Sequence, residues 1–201
     1  MIRKLGFYVA CVESNVNQFA IRFEENYYKK NLDHKILEII RHCNNCSRDT
    51  AKMIASTSWG QYQILGINLY SICEYYSEIG KYLCDDDLQY ITFERFIKKR
   101  VFQKETEKRV INTLEAISHI SFYYKCLNLK AEAKIEMLKD FLECNREVYK
   151  DLEIFISKYL GAKFLSQAFI NYILRLIHYH NKLEEMIEKE IGKGGGNELK
   201  C

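Results

Sequence analysis

A mainly α-helical fold is what this chain predicts, and three observations carry that reading. Proline is absent from all 201 residues, where average usage of roughly 5% would supply about ten. Turns therefore fall to Gly, Asn and Asp, and helices can run without interruption. Apolar residues recur at helical spacing through most of the chain. Finally, 48% of residues are hydrophobic and 28% charged, which is enough for a buried core and argues against disorder. The length suits one compact domain over residues 1–191, followed by a flexible Gly-rich tail at 192–201.

Taken in order, Ile2, Leu5, Val9 and Val12 form one helical stripe over residues 2–12. Residues 14–31 are polar and aromatic without helical period and predict a loop with short extended pieces. Residues 32–41 and 49–55 read as two short helices. Residues 56–66 interrupt the pattern with Ser, Thr and two glycines around apolar positions, as a small β-hairpin or a ligand-lining loop would. Helical spacing resumes over 67–79. A strong helix then runs from Asp85 to about residue 102, and its three leading acids fit an N-cap and first turn better than a metal site. Residues 104–128, 131–144 and 147–159 predict three more helices. The longest apolar stripe, Leu165, Ala168, Phe169, Tyr172, Leu176, Leu183 and Ile187, marks the last one as core packing.

Composition also excludes function classes. A net charge of +3 suits an anionic polymer but is too small for a nucleic-acid binder, and no nucleic-acid signature appears. No apolar run reaches the roughly 18 residues of a membrane span, so stable membrane insertion is not expected. The N-terminus mimics a short signal peptide but lacks a small-residue cleavage site, so the chain reads as having no recognisable leader. Eight cysteines are spaced irregularly, unlike a small disulfide scaffold. Cys43 and Cys46 lie near His34 and His42, a set that zinc could use. A lone CxxC without a second pair points instead to reduced thiols or a local disulfide.

Two segments stand apart from the helical background. Glu13 lies where an apolar helix stops, one turn after Val9 and Ala10. An apolar wall and a helix C-terminus both disfavour the ionised form, so its pKa is expected to rise. A carboxyl still protonated near neutrality can protonate a glycosidic oxygen. An exposed Glu that merely ends a helix is the competing interpretation. The second segment holds Trp59, the only Trp, beside Gly60 and near Tyr62 and Gln63. Sugar rings stack on aromatic faces, amides bond their hydroxyls, and Gly admits close backbone approach. A Trp that anchors a turn would fit equally.

Together the two segments resemble a known family. Glu13-Ser14, then Asn17-Gln18-Phe19-Ala20-Ile21-Arg22-Phe23-Glu24, is followed by Ser58-Trp59-Gly60 and Gln63-Ile64-Leu65-Gly66. The pairing, in this order and spacing, is similar to lytic transglycosylases and related phage muramidases of the lysozyme superfamily. The resemblance implies a lysozyme-like (goose-type or lytic transglycosylase) helical domain, with residues 103–146 as an inserted helical pair. It implies Glu13 as general acid/base and Ser14 as its polar neighbour. Ser58, Trp59, Gly60 and Gln63 would line the substrate cleft, and Arg22 with Glu24 would form a structural ion pair. Tyr159, in Tyr159-Leu160-Gly161-Ala162, is the match to the family's third motif. Gln18 stands where the family often has Pro, and Leu160 where it has Asn.

The implied partner is the glycan strand of peptidoglycan, with no cofactor and no metal. A two-carboxylate glycosidase would need a second acid about 5–9.5 Å away, and no residue in the sequence nominates itself well. A transglycosylase needs one carboxylate, so the missing partner favours transglycosylase over hydrolytic muramidase. A lysozyme fold that only holds glycan, or a helical interaction protein, is the rival from another class. Synthesis in the cytoplasm and action on the wall, through phage release or unconventional export, is the expected location.

Overall fold

The computed structural model describes residues 1–194, with side chains to residue 190. Among them are eleven α-helices and one three-stranded antiparallel sheet. The chain forms two compact units, residues 1–110 and residues from 111 on. The mainly α-helical, lysozyme-like class with a small hairpin is therefore the observed one. Of the tail expected at 192–201, residues 195–201 lie outside the described residues, and the last helix continues to Gly194.

The first unit opens with α1 (Ile2–Ser14), which buries the expected Ile2, Leu5, Val9 and Val12 together with Tyr8. Strand β1 (Ile21–Phe23) and a single turn of helix, α2 (Glu25–Tyr28), occupy the segment expected as a loop with extended pieces. Then come α3 (His34–Asn44) and α4 (Arg48–Ala55). Each is capped as sequence rules require: Asp33 accepts Lys35 N–H at 2.8 Å and Ser47 accepts Thr50 N–H at 3.1 Å. The hairpin of β2 (Thr57–Trp59) and β3 (Ile64–Leu65) follows. Strand β2 lies in the middle of the sheet, with Arg22 opposite Ser58 on one side and Ser58 opposite Leu65 on the other.

The helix expected over 67–79 breaks in two, α5 (Gly66–Ser71) and α6 (Ile79–Leu83). Glu74 takes a left-handed conformation at φ 53°, and the reversal swings Tyr75 into the core between Tyr70 and Tyr82, each ring 5.6 Å away. Arg95 donates to the Cys73 carbonyl at 3.1 Å, and Lys99 pairs with the Glu74 carboxylate at 2.7 Å, so the break is held from outside. Helix α7 (Asp86–Phe96) begins with Asp85 accepting Leu88 N–H at 2.8 Å, which makes the acidic triplet a cap and first turn. It widens into a π-helical segment (Ile97–Phe102) that turns Ile97, Val101 and Phe102 inward together.

Helix α8 (Thr106–Cys126) leads into the second unit, which adds α9 (Ala131–Cys144), α10 (Lys150–Leu160) and α11 (Gln167–Gly194). Tyr123 stacks on Phe141 at 3.8 Å, and Ser121 donates to Asn181 at 2.6 Å. Arg146 clamps Glu153 through two bonds of 2.8 and 2.6 Å. Of the predicted stripe, Phe169, Tyr172 and Leu176 are buried, as are Ile173 beside them and Leu152 and Phe155 on α10, whereas Leu165 and Leu183 are half-buried and Ala168 and Ile187 are exposed, so only the middle of the stripe is core.

Buried acids of the first unit set its response to alkali. Burial pushes the Cys73 thiol and the Tyr62 phenol each up to about 12, and raises Tyr70 and Tyr82 further. The unfolded chain loses these protons near pH 8.5 for Cys and near pH 10 for Tyr, roughly, whereas the folded chain keeps them. Stability is then whole below about pH 8.5 and falls as pH rises towards the folded values, by about 1.4 kcal/mol per pH unit per group. Urea midpoints should be level between about pH 7 and 8 and drop steeply beyond about pH 10. A midpoint that stays level to about pH 11 would contradict the burial of these phenols.

Candidate functional site

Helix α1 ends at a double left-handed turn, Asn15 at φ 55° and Val16 at φ 61°. The Val16 N–H closes on Ala10 O at 3.0 Å and the Asn15 N–H on Cys11 O at 3.1 Å, so the helix end is wrapped by its own backbone. Asn accepts such a conformation readily, but a β-branched Val there is strained, and strain of this kind concentrates at functional sites. Glu13, half-buried, occupies the last turn immediately before this stop.

Ser14 fastens that turn to the β2–β3 loop. Its hydroxyl donates to Gln61 O at 2.9 Å and accepts the Asn17 N–H at 3.1 Å. The loop, residues 60–63, is shaped by what it must avoid. Gly60 has φ 72°, and a Cβ there would overlap Gln89 Oε1 and sit 2.8 Å from Gln89 Cδ. Gln63 is itself left-handed at φ 49° and donates from Nε2 to Gly60 O at 2.9 Å and Ala20 O at 3.1 Å. Its amide thus ties the hairpin loop to the segment that leaves α1.

Trp59 donates its indole N–H to Ile54 O at 3.0 Å. A Cβ on Gly66 would overlap that same carbonyl oxygen and lie 3.1 Å from the indole nitrogen, so Gly66 is the residue that lets Trp59 reach α4. Ser58 donates to Glu24 Oε1 at 3.3 Å, and Arg22 Nε reaches the same oxygen at 2.6 Å. The ion pair expected between Arg22 and Glu24 is present, and it joins β1 to β2 through Ser58.

Glu13, Ser14, Ser58, Trp59, Gly60 and Gln63 all belong to the first unit, linked through the Ser14–Gln61 bond and the sheet. Tyr159 lies on α10 in the second unit, where its ring stacks on Phe155 at 5.5 Å. A hollow of about 210 Å³ lies beside the end of α1, lined by Phe7, Ala10, Val16, Gln61 and Tyr90. At its rim the Arg3 guanidinium sits 4.8 Å from the centre of the Tyr90 ring and 3.9 Å from Asp87. Larger hollows lie by residues 103–108 and beside His42, away from this arrangement.

Sequence reasoning missed the residue on which the loop rests. Gln89 is fully buried on α7; its Oε1 accepts the Gln61 N–H at 2.8 Å, and its Nε2 lies 3.1 Å from both Tyr82 O and Gln18 O. A signal was there: Gln89 shares a helical stripe with Phe93 and Phe96, so it is a polar residue at a core-facing position. Such a group is stable only when fully hydrogen-bonded. Cys43 and Cys46 are free thiols, as are Cys73, Cys84, Cys126 and Cys144. Among the described residues no three His, Cys, Asp or Glu side chains converge as a metal site would require. Nor is any described helix long and apolar enough to cross a membrane.

The chain is similar to a known phage protein. No family model and no solved structure matches the chain. The endolysin of Enterobacteria phage PRD1 is 36% identical to it over 107 residues, a region covering 51% of this chain and 72% of that protein. At that identity and coverage, on a mainly helical fold whose α1 ends at Glu13-Ser14 against a glycine-bearing hairpin, the chain belongs to the phage endolysin family.

Proposed function

We propose that this chain is a lytic transglycosylase that cleaves the β-1,4 bond between N-acetylmuramic acid and N-acetylglucosamine in peptidoglycan. It would be made in the cytoplasm and reach the wall during phage release. The observation that carries the reading is the position of Glu13: a half-buried carboxyl in the last turn of α1, next to a serine that bonds the hairpin loop. Glu13 as acid protonates the leaving glycosidic oxygen while the substrate's own N-acetyl group stabilises the anomeric carbon. As base, it then takes the proton from the 6-hydroxyl, whose attack on that carbon closes a 1,6-anhydro ring. Proton transfer by one positioned carboxyl contributes about 10²–10⁴-fold to such a reaction.

One carboxylate serves both steps, and the surroundings favour that economy. Glu24 accepts from both Arg22 and Ser58, and Glu25 pairs with Lys29 at 2.6 Å. The acids nearest in sequence are thus committed to structural pairs. Backbone and side-chain amides of the loop, with the Trp59 ring, form the wall along which the glycan would lie.

Products decide the chemistry. Purified peptidoglycan digested by the protein should yield muropeptides with anhydro-muramic ends, lighter by one water than the hydrolytic products in mass spectra. Reducing ends alone would replace this reading with a hydrolytic muramidase that uses a second carboxylate.

A further inference from the structure

The sheet register exposes a feature that the glycosidase reading does not use. In the β1–β2 pair, Gly60 N–H bonds Ala20 O at 2.9 Å and Glu24 N–H bonds Ser56 O at 2.9 Å. With Arg22 opposite Ser58, the alternation of an antiparallel ladder turns the backbone groups of residues 20, 22 and 24 towards β2. Those of Ile21 and Phe23 therefore point outward, from the free edge of the sheet. Both side chains lie on one face and are about half exposed, at 57% and 48%. Natural edge strands are blunted by short length, charged side chains, Pro or a bulge; β1 is short and carries Arg22, but Arg22 is held by Glu24 and the outward groups of Ile21 and Phe23 have neither Pro nor bulge beside them.

Cations flank one end of this edge. Phe23 packs on Tyr28 with ring centroids 5.6 Å apart, and Lys52 Nζ lies 4.6 Å from the centre of the Tyr28 ring. Lys30 Nζ sits 4.1 Å from the centre of the Tyr27 ring. Arg22 and Lys29 are neutralised by Glu24 and Glu25, whereas Lys30 and Lys52 pair with no carboxylate among the described residues. The edge thus offers two outward-facing residues, an apolar face and uncompensated positive charge at its Phe23 end.

We propose that the β1 edge binds the short, acidic stem peptide carried by the glycan strand, through the outward backbone groups of Ile21 and Phe23 and the flanking lysines. The identity of the occupant rests on the peptidoglycan reading above; the recognition chemistry rests on the edge itself. Three residues of strand span about 10 Å and offer at most four backbone bonds, which suits a peptide of two or three residues. A stable protein partner would bury about 800 Å² on each side, far more than this strand presents. A stem peptide is short, carries free carboxylates to meet Lys52 and Lys30, and bears alanine methyls to rest against Ile21 and Phe23.

The test uses the whole chain and a synthetic stem tripeptide, L-alanyl-γ-D-glutamyl-diaminopimelic acid, followed by amide chemical shifts. The Ile21 and Phe23 amides should move on titration. Phe23→Pro removes one outward N–H without touching the β1–β2 ladder, since Pro is tolerated on an edge with its nitrogen towards solvent. It should weaken binding about tenfold, as loss of a bond and a ring predicts. Lys52→Gln, a surface change that leaves the strand intact, should weaken it severalfold and remove about half of its salt dependence, the rest belonging to Lys30. Shifts confined to other residues would overturn the proposal. So would concentration-dependent self-association that Phe23→Pro abolishes, because the edge would then belong to a second copy of the chain. The titration needs no turnover, so peptide binding without glycan cleavage would sink the glycosidase reading alone, and cleavage without peptide binding would sink this one alone.

Discussion

Glu13→Gln should lower the rate of peptidoglycan cleavage by about 10²–10⁴-fold, the contribution of one positioned acid/base, while leaving the thermal midpoint nearly unchanged. Gln matches Glu in size and keeps one hydrogen-bonding oxygen, so packing in the last turn of α1 is preserved. On the transglycosylase reading, what it loses is the proton that the leaving oxygen needs and the base that the 6-hydroxyl needs. The informative control is Glu24→Gln. Glu24 binds Arg22 and Ser58 across β1 and β2, so its loss should cost about 0.5–1 kcal/mol of stability, as a partly exposed pair would, with most of the activity retained. Turbidity clearing of purified cell walls would measure the rates, and circular dichroism would verify the folds. Equal loss in the two variants would remove Glu13 from its special role. Retained cleavage in Glu13→Gln would hand the chemistry to another carboxyl.

How much of this was open to inspection in the sequence depends on whether the deciding interaction is local. The α1 stripe of Ile2, Leu5, Val9 and Val12 is a four-residue rhythm and needed no tertiary knowledge. Asp85 as an N-cap is a local bond to Leu88, three residues on. The Arg22–Glu24 pair likewise joins residues two apart, at the end of β1. The break at Glu74 was hidden because its cause is distant: Lys99 and Arg95, more than twenty residues later, hold the reversal that residues 72–75 alone would carry through as helix. Gly60 and Gly66 were visible as glycines, but the reasons differ and only the fold separates them. Gly60 needs both its left-handed φ and the space filled by Gln89, whereas Gly66 needs only the absence of a Cβ against Ile54 O. Trp59 and Gln63 carry an added lesson. Residues chosen for ligand chemistry also spend their polar groups inside the protein, on Ile54 O, Gly60 O and Ala20 O. Any glycan contact would then use the remaining indole face and amide oxygen.

Gln89→Leu should be the most damaging single change away from Glu13, lowering stability by roughly 3–5 kcal/mol and cleavage with it. The side chain is fully buried and meets the Gln61 N–H and the carbonyls of Gln18 and Tyr82. Leu fills similar volume, so little of the loss is cavity. Nearly all of it is desolvated backbone polar groups left without partners, at about 1–3 kcal/mol each. For a unit of this size about 4–8 °C of thermal midpoint follows each kcal/mol, so a fall of at least about 12 °C is expected. The loss extends to function because the bonds run in series: Gln89 holds Gln61 N–H, Gln61 O holds Ser14 Oγ, and Ser14 follows Glu13. A loop freed at Gln61 therefore loosens the turn that positions the acid. Assayed well below its lowered midpoint, where the variant is still folded, Gln89→Leu should show a reduced kcat, whereas a purely stabilising residue would leave turnover per folded molecule intact. Ser14→Ala cuts the same series one bond later. It should reproduce the fall in kcat with a loss of only about 1 kcal/mol of stability, so the pair of variants separates the role of this buried amide in holding the fold from its role in aiming Glu13.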